Sequence, residues 1–148
     1  GFAQQLLPGY PVEPARAQVL VTEPIRNLTL KGTFHYNNGY YYFRNIGNRV
    51  LLGGGRNLDF SAEQTVEFGL TKLVQDKLDD LLKNMILPYT DHKVALRWSG
   101  IMGIGPEKKS IVKAVSKNVF CAVRMGGMGV AIGSLIGEEV ATLVAEQL

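Results

Sequence analysis

The sequence predicts an α+β fold: an antiparallel or mixed sheet with one amphipathic helix, followed by a strand, a glycine-rich turn and a C-terminal helix. Three observations carry this. Between residues 17 and 52, β-branched and aromatic runs are separated by Asn-Gly and Gly-Asn turn signals, the pattern of an antiparallel meander. Between 61 and 87, Val66, Leu70, Leu73, Leu78, Leu81, Leu82 and Met85 recur at helical spacing. Near the end, the apolar run Val119-Phe120-Cys121-Ala122-Val123 enters Gly126-Gly127-Met128-Gly129 and then a long apolar segment.

Taken in order, Pro8, Pro11 and Pro14 make residues 8–16 read as an extended connector. Gln18-Val19-Leu20-Val21-Thr22 is a strand ended by Pro24. A short strand over 32–36 turns at Asn37-Asn38-Gly39 and returns over 40–44. A second turn at Asn45-Ile46-Gly47-Asn48 leads to a strand over 49–52, which Gly53-Gly54-Gly55 ends. Ser61, with Gln64 three residues on, forms a capping box that opens the helix, and Pro88 stops it. Asp76, Lys77, Asp79 and Asp80 occupy its solvated side. Strands are expected over 94–101, 110–112 and 119–123, and the last helix over 130–146.

Composition narrows the classes. The chain has 148 residues, 46% of them hydrophobic, which suits a packed core. The formal charge is only +3 and the basic residues are scattered, so no nucleic-acid stripe is present. The glycine-laden apolar stretch over 125–137 is too short for a membrane span. With no basic leader at Gly1-Phe2-Ala3, a soluble, cytoplasmic protein is expected. Cys121 stands alone and reads as a small buried hydrophobe. His35 and His92 lack companions at ligand spacing, so no metal site is expected.

Arg124-Met125-Gly126-Gly127-Met128-Gly129-Val130 is the segment best suited to chemistry. Three glycines in four residues permit close approach, and a helix start presents free N–H groups with partial positive charge. Such a corner suits a phosphate, an oxyanion or a ring carbonyl that gains electrons; it suits a tightly packed corner equally well. Gly129, Gly133 and Gly137 leave a flat helix face ready to press on another backbone. In Tyr40-Tyr41-Tyr42, neighbours point to opposite faces of a strand, so one or more phenols could face a cleft.

Several segments in order resemble the D-amino-acid oxidase family of flavoproteins, which includes glycine and sarcosine oxidases. Gly1-Phe2-Ala3 is similar to the turn closing that family's FAD domain. Pro14-Ala15-Arg16-Ala17-Gln18 resembles its "P-x-R-G-Q" strand. Tyr41-Tyr42-Phe43-Arg44 through Arg49-Val50-Leu51-Leu52-Gly53-Gly54 resembles its central hairpin, and Arg97-Trp98-Ser99-Gly100 its "R-W-x-G" strand. Ser110-Ile111-Val112 resembles its "P-I-I-G" step, and Gly126-Gly127-Met128-Gly129-Val130 its final glycine turn.

The resemblance implies FAD as cofactor, contacted by Arg124, Met125, Gly126, Gly127, Met128, Gly129 and Val130, and a substrate side formed by Tyr41, Tyr42 and Arg97. It implies oxidation of a C–N bond in an amine or amino acid by hydride transfer to flavin. It divides the chain into 1–16 (end of the FAD domain and crossover), 17–105 (substrate domain) and 106–148 (return to the FAD domain). On this reading the chain is the C-terminal part of an enzyme. It is expected to be inactive without the N-terminal FAD-binding half, and to self-associate or hold that partner through an apolar face at Gly129, Gly133, Ile136, Gly137 and Val140.

Three places depart from the pattern. Met102 stands near the family's substrate-gripping arginine, Leu51 near the oxygen-activating lysine of sarcosine oxidases, and Lys113 in place of the last glycine of "P-I-I-G". A self-contained small-ligand-binding or interaction domain without redox activity is the alternative.

Overall fold

Alternating apolar residues and turn-forming asparagines and glycines build the first half of the chain into a sheet. In a computed structural model, which describes residues 2–147, α1 (Ala3–Leu6) precedes β1 (Glu13–Thr22), β2 (Thr33–Tyr36), β3 (Tyr41–Ile46) and β4 (Arg49–Gly54). A 3₁₀ turn (Arg56–Leu58), α2 (Lys72–Leu81), β5 (Val94–Ile104), β6 (Ile111–Ser116), β7 (Val119–Val123) and α3 (Gly129–Ala145) follow. Gly1, part of the segment likened to a closing turn, lies outside the described residues. The chain packs as two units. One is Gly1–Ala15, Gln64–Val66 and Ile101–Leu148; the other is Arg16–Glu63 and Glu67–Gly100.

In the second unit the strand order is β2-β3-β4-β1-β5. Asn37, Asn38 and Gly39 all take left-handed φ, at 51°, 54° and 83°, and deliver β2 into β3 with Tyr36 opposite Tyr41. Gly47, at φ 56°, turns β3 into β4 with Ile46 opposite Arg49. Strand β3 thus runs two residues further than the sequence suggests. Leu20, Ile25, Tyr41, Val50, Leu52, Val74, Leu78, Leu81, Leu82 and Leu87 form the core between the sheet and α2. The helix leaves through a π-helical turn over Leu82–Ile86, where the Leu87 amide reaches back to the Leu82 carbonyl.

The expected helix over 61–87 forms only from Lys72 onward. The capping box does not: Asp59 Oδ1 accepts from the Ala62 amide, and Gln64 reaches Glu13 instead of Ser61. Gly69 at φ 150° is incompatible with a helix. The deeper cause is Glu63, whose carboxylate is 1% exposed. Arg16 donates to it from Nε at 2.9 Å and from Nη2 at 3.1 Å. Gln18 Nε2 donates at 2.9 Å and Thr71 Oγ1 at 2.9 Å. A buried carboxylate is costly without such partners, so residues 59–71 follow the side chain rather than the helical repeat. Thr71 precedes α2 with its hydroxyl spent on Glu63 instead of on the helix N–H groups.

In the first unit β6 and β7 form an antiparallel hairpin with a register shift between Ala114 and Ser116. Leu7, Val12, Ile111 and Cys121 make its core, so Cys121 packs as the small hydrophobe expected. Among the described residues of α3 only Ile136 is buried, which removes it from the apolar face assigned to it above. A β-carbon added at Gly133 or Gly137 meets nothing within 4 Å. Strand β1 begins at Glu13, so the proline connector is shorter than expected, with Pro14 tolerated near the strand's start. No described helix is long and apolar enough to cross a membrane.

Burial alone raises the Glu63 carboxyl pKa, but the hydrogen bonds from Arg16, Gln18 and Thr71 outweigh it and hold the group below its ordinary 4.5. A depressed folded-state value adds stability that is complete above the unfolded value and is lost as pH falls through the folded one. In the full-length protein, wild type should therefore lose stability below about pH 4.5, whereas Glu63→Gln should show a flatter acid limb in pH-dependent melting. Arg16→Met, which strands the carboxylate, should cost about 3 kcal/mol at neutral pH.

Candidate functional site

Each unit presents one surface with chemical potential. In the first unit the chain leaves β7 through Arg124 at φ 61°, Gly126 at 58° and Gly127 at 84°, then starts α3 at Gly129. The Gly126 amide bonds the Gly103 carbonyl at 3.1 Å and the Met128 amide bonds the Met125 carbonyl at 2.8 Å. Among the described residues the N–H groups of Gly127, Gly129 and Val130 find no backbone acceptor, and Gly126, Gly127, Met128 and Val130 are exposed. The Met128 amide is thus not among the free donors.

The sequence-predicted residues of this turn divide. A β-carbon on Gly126 would meet nothing within 4 Å, and one on Gly127 would lie 3.2 Å from the Met102 sulfur. The Met125 sulfur lies 3.3 Å from the β-carbon position of Gly129, so Met125 packs beneath the helix start. The Arg124 guanidinium is buried and bonded to Lys109, Pro11 and Glu107. Its side chain is thus engaged within the first unit. The remaining surface is open, with exposed Met128 and Val130 side chains beside the free N–H groups, and helix-start donors of this kind suit a group of carbonyl or anionic character.

In the second unit, register decides which face each strand residue shows. His35, Tyr42, Gly53 and Val19 are successive partners across β2, β3, β4 and β1, and so share one face. Tyr36, Tyr41, Gly54 and Gln18 form the next row, on the other face. The Tyr42 ring lies over Gly53, where a β-carbon would come within 2.6 Å of the phenol oxygen. Burial raises the Tyr42 pKa, so the group stays a neutral donor. Gly54, at φ 123°, has a β-carbon position 2.0 Å from the Tyr40 carbonyl and accepts no side chain.

Tyr41 is 2% exposed and belongs to the core. Arg97 faces α2: its Nη1 donates to Gln75 at 2.6 Å and its Nη2 to Asp79 at 2.7 and 3.0 Å. Gln75 in turn donates to Gln18. Tyr41 and Arg97 therefore lie on the helix side of the sheet and Tyr42 on the opposite side. Asp79, read from the sequence as merely solvated, is the partner of Arg97. Gln18, Glu63 and Gln75 went unnoticed because their pairing spans 45 and 57 residues; a glutamine inside an otherwise apolar strand was the one local sign. Among the described residues, no three His, Cys, Asp or Glu side chains gather as a metal site would require.

The chain belongs to the FAD dependent oxidoreductase family (DAO), whose family model matches residues 1–143. It is similar in fold to L-proline dehydrogenase from P. horikoshii, with TM-score 0.74 and 17% identity over 98% of this chain and 39% of that one. It is also similar to glycine oxidase from Bacillus cereus ATCC 14579, with TM-score 0.69 and 12% identity over 93% of this chain and 36% of that one. The chain thus spans less than half the length of either structure. A comparison with the curated proteins gives no match.

Removing the Asp79 carboxylate should loosen Arg97 without reaching the Tyr42 face. Asp79→Ala in the full-length protein is expected to lower stability by about 1 kcal/mol, the upper range for a part-exposed pair, with KM unchanged. A raised KM at normal stability would return Arg97 to the substrate side.

Proposed function

We propose that the chain is the C-terminal portion of a full-length flavoprotein that oxidises a C–N bond in an amine or amino acid. One observation carries this: in a chain of the FAD dependent oxidoreductase family, an open glycine turn leaves the Gly127, Gly129 and Val130 N–H groups unpaired at the start of a 17-residue helix. FAD, when bound, supplies the redox chemistry by accepting a hydride from the carbon that carries the nitrogen.

The protein's part is electrostatic and positional. The three N–H groups and the positive end of α3 hold the negative charge that builds on the ring edge. Gly126 and Gly127 keep that edge accessible. Tyr42, neutral and seated on Gly53, offers its hydroxyl to a polar group of the substrate, while Tyr41 anchors the same strand from below. The phenol is the main polar contact proposed from the second unit. The open face of α3 at Gly133 and Gly137, with exposed Val130, receives the N-terminal half of the enzyme. The isolated chain is inactive and associates with itself through that face.

Purified full-length protein is expected to be yellow with one FAD per chain. Gly127→Val, which places a branched side chain at φ 84°, should yield nearly colourless protein. Tyr42→Phe should raise KM about tenfold, the loss of one hydrogen bond to a charged group, with the flavin spectrum intact. Full-length protein that neither carries nor binds FAD would overturn the proposal. The isolated chain should elute above monomer mass and leave FAD fluorescence unquenched.

A further inference from the structure

Arginine is a poor occupant of left-handed backbone. Among the described non-glycine residues with positive φ, three are asparagines, one is Tyr89, and Arg124 at φ 61° opens the glycine turn. A glycine would take that conformation without strain. Tyr89 takes that conformation with its side chain exposed, whereas Arg124 takes it with its side chain buried and bonded.

Those surroundings are specific. The Arg124 side chain is 5% exposed. Its Nε donates to the Lys109 carbonyl at 2.7 Å, its Nη1 to the Pro11 carbonyl at 3.2 Å and its Nη2 to Glu107 Oε2 at 3.4 Å. These acceptors lie 15, 113 and 17 residues away in sequence. Only a planar fork with several fixed donors reaches three such points at once. Gly105 supplies the clearance: a β-carbon there would fall 2.5 Å from the Pro11 oxygen and 2.6 Å from Arg124 Cδ. On the other side of the corner, the Gly126 amide is fixed to the Gly103 carbonyl. The turn is therefore clamped at its entry, and its unpaired N–H groups begin three residues later.

We propose that Arg124 is the positioning residue of the glycine turn: its guanidinium straps residues 11, 107 and 109 to the corner and so sets the direction of the Gly127, Gly129 and Val130 N–H groups. The clamp is a property of the first unit; its effect on a flavin rests on the function proposed above. The guanidinium is spent on these three acceptors. It acts through the backbone it holds.

The test uses the full-length protein with Arg124→Gly, Arg124→Lys and Gly105→Ala. Two quantities are read: amide hydrogen exchange at the bonded Gly126 and Met128 amides and the midpoint potential of the bound flavin. Arg124→Gly relieves the backbone strain, yet should exchange at least tenfold faster across the turn and shift the potential downward, since donors no longer aimed at the ring stabilise its reduced form less. Arg124→Lys, with one ammonium in place of a fork, should fall between. Gly105→Ala, which keeps the arginine but closes its clearance, should also speed exchange. If Arg124→Gly fails to fold, the other two variants give the same reading. Unchanged exchange in all the folded variants overturns the clamp, and faster exchange with an unchanged potential overturns its role in aiming the donors. If the wild type carries no flavin, the proposed function falls while the exchange data still decide the clamp.

Discussion

The Glu63 carboxylate is the constraint around which the second unit is arranged. An ionised group at 1% exposure survives only where donors surround it, and here they come from β1 and from the residue before α2. Arg16 and Gln18 are fixed by strand geometry; Thr71 is fixed by the start of the helix. The segment between Asp59 and Thr71 must thread through these points, and Arg16 meets it again at the carbonyls of Ala62 and Glu67. From Gln18 the polar chain continues to Gln75, Arg97 and Asp79. One buried charge thereby sets where α2 begins and how β5 is held against it.

The sheet supported in this way works with two different faces. The helix side is closed by leucines, valines and Tyr41, with the polar chain at its edge. The other side carries Tyr42 on a glycine seat. Gly53 and Gly54 sit next to each other in β4 and serve opposite faces: one lets the Tyr42 ring lie flat, the other lets the Tyr40 carbonyl come close. The end of one strand thus governs both the display of the phenol and the tightness of the hairpin that presents it.

The hairpins were legible in the sequence because their cause is local. Asn37, Asn38, Gly39 and Gly47 tolerate left-handed backbone wherever they occur. The glycine turn before α3 was legible for the same reason. The start of α2 was not, since Ser61 and Gln64 carry a valid local signal that a distant ion pair overrides. Alternation over Tyr40, Tyr41 and Tyr42 was readable, but which tyrosine faces the core depends on α2 lying on one side of the sheet, and three consecutive letters hold no trace of that. Arg97 and Arg124 stand out in the sequence as residues able to reach a ligand, and their intrachain partners are not visible there. Their acceptors are main-chain carbonyls and side chains far away in sequence, where residue type is a weak guide.

The division of labour within β3 bears on how such a protein can change. Because Tyr41 and Phe43 belong to the core side while Tyr42 and Arg44 do not, mutations at 42 and 44, and at their cross-strand neighbours His35 and Leu51, alter the exposed chemistry of the sheet and leave the packed side alone. Descendants can vary that surface one strand position at a time, each step tolerated by the fold, provided Gly53 and Gly54 are inherited intact.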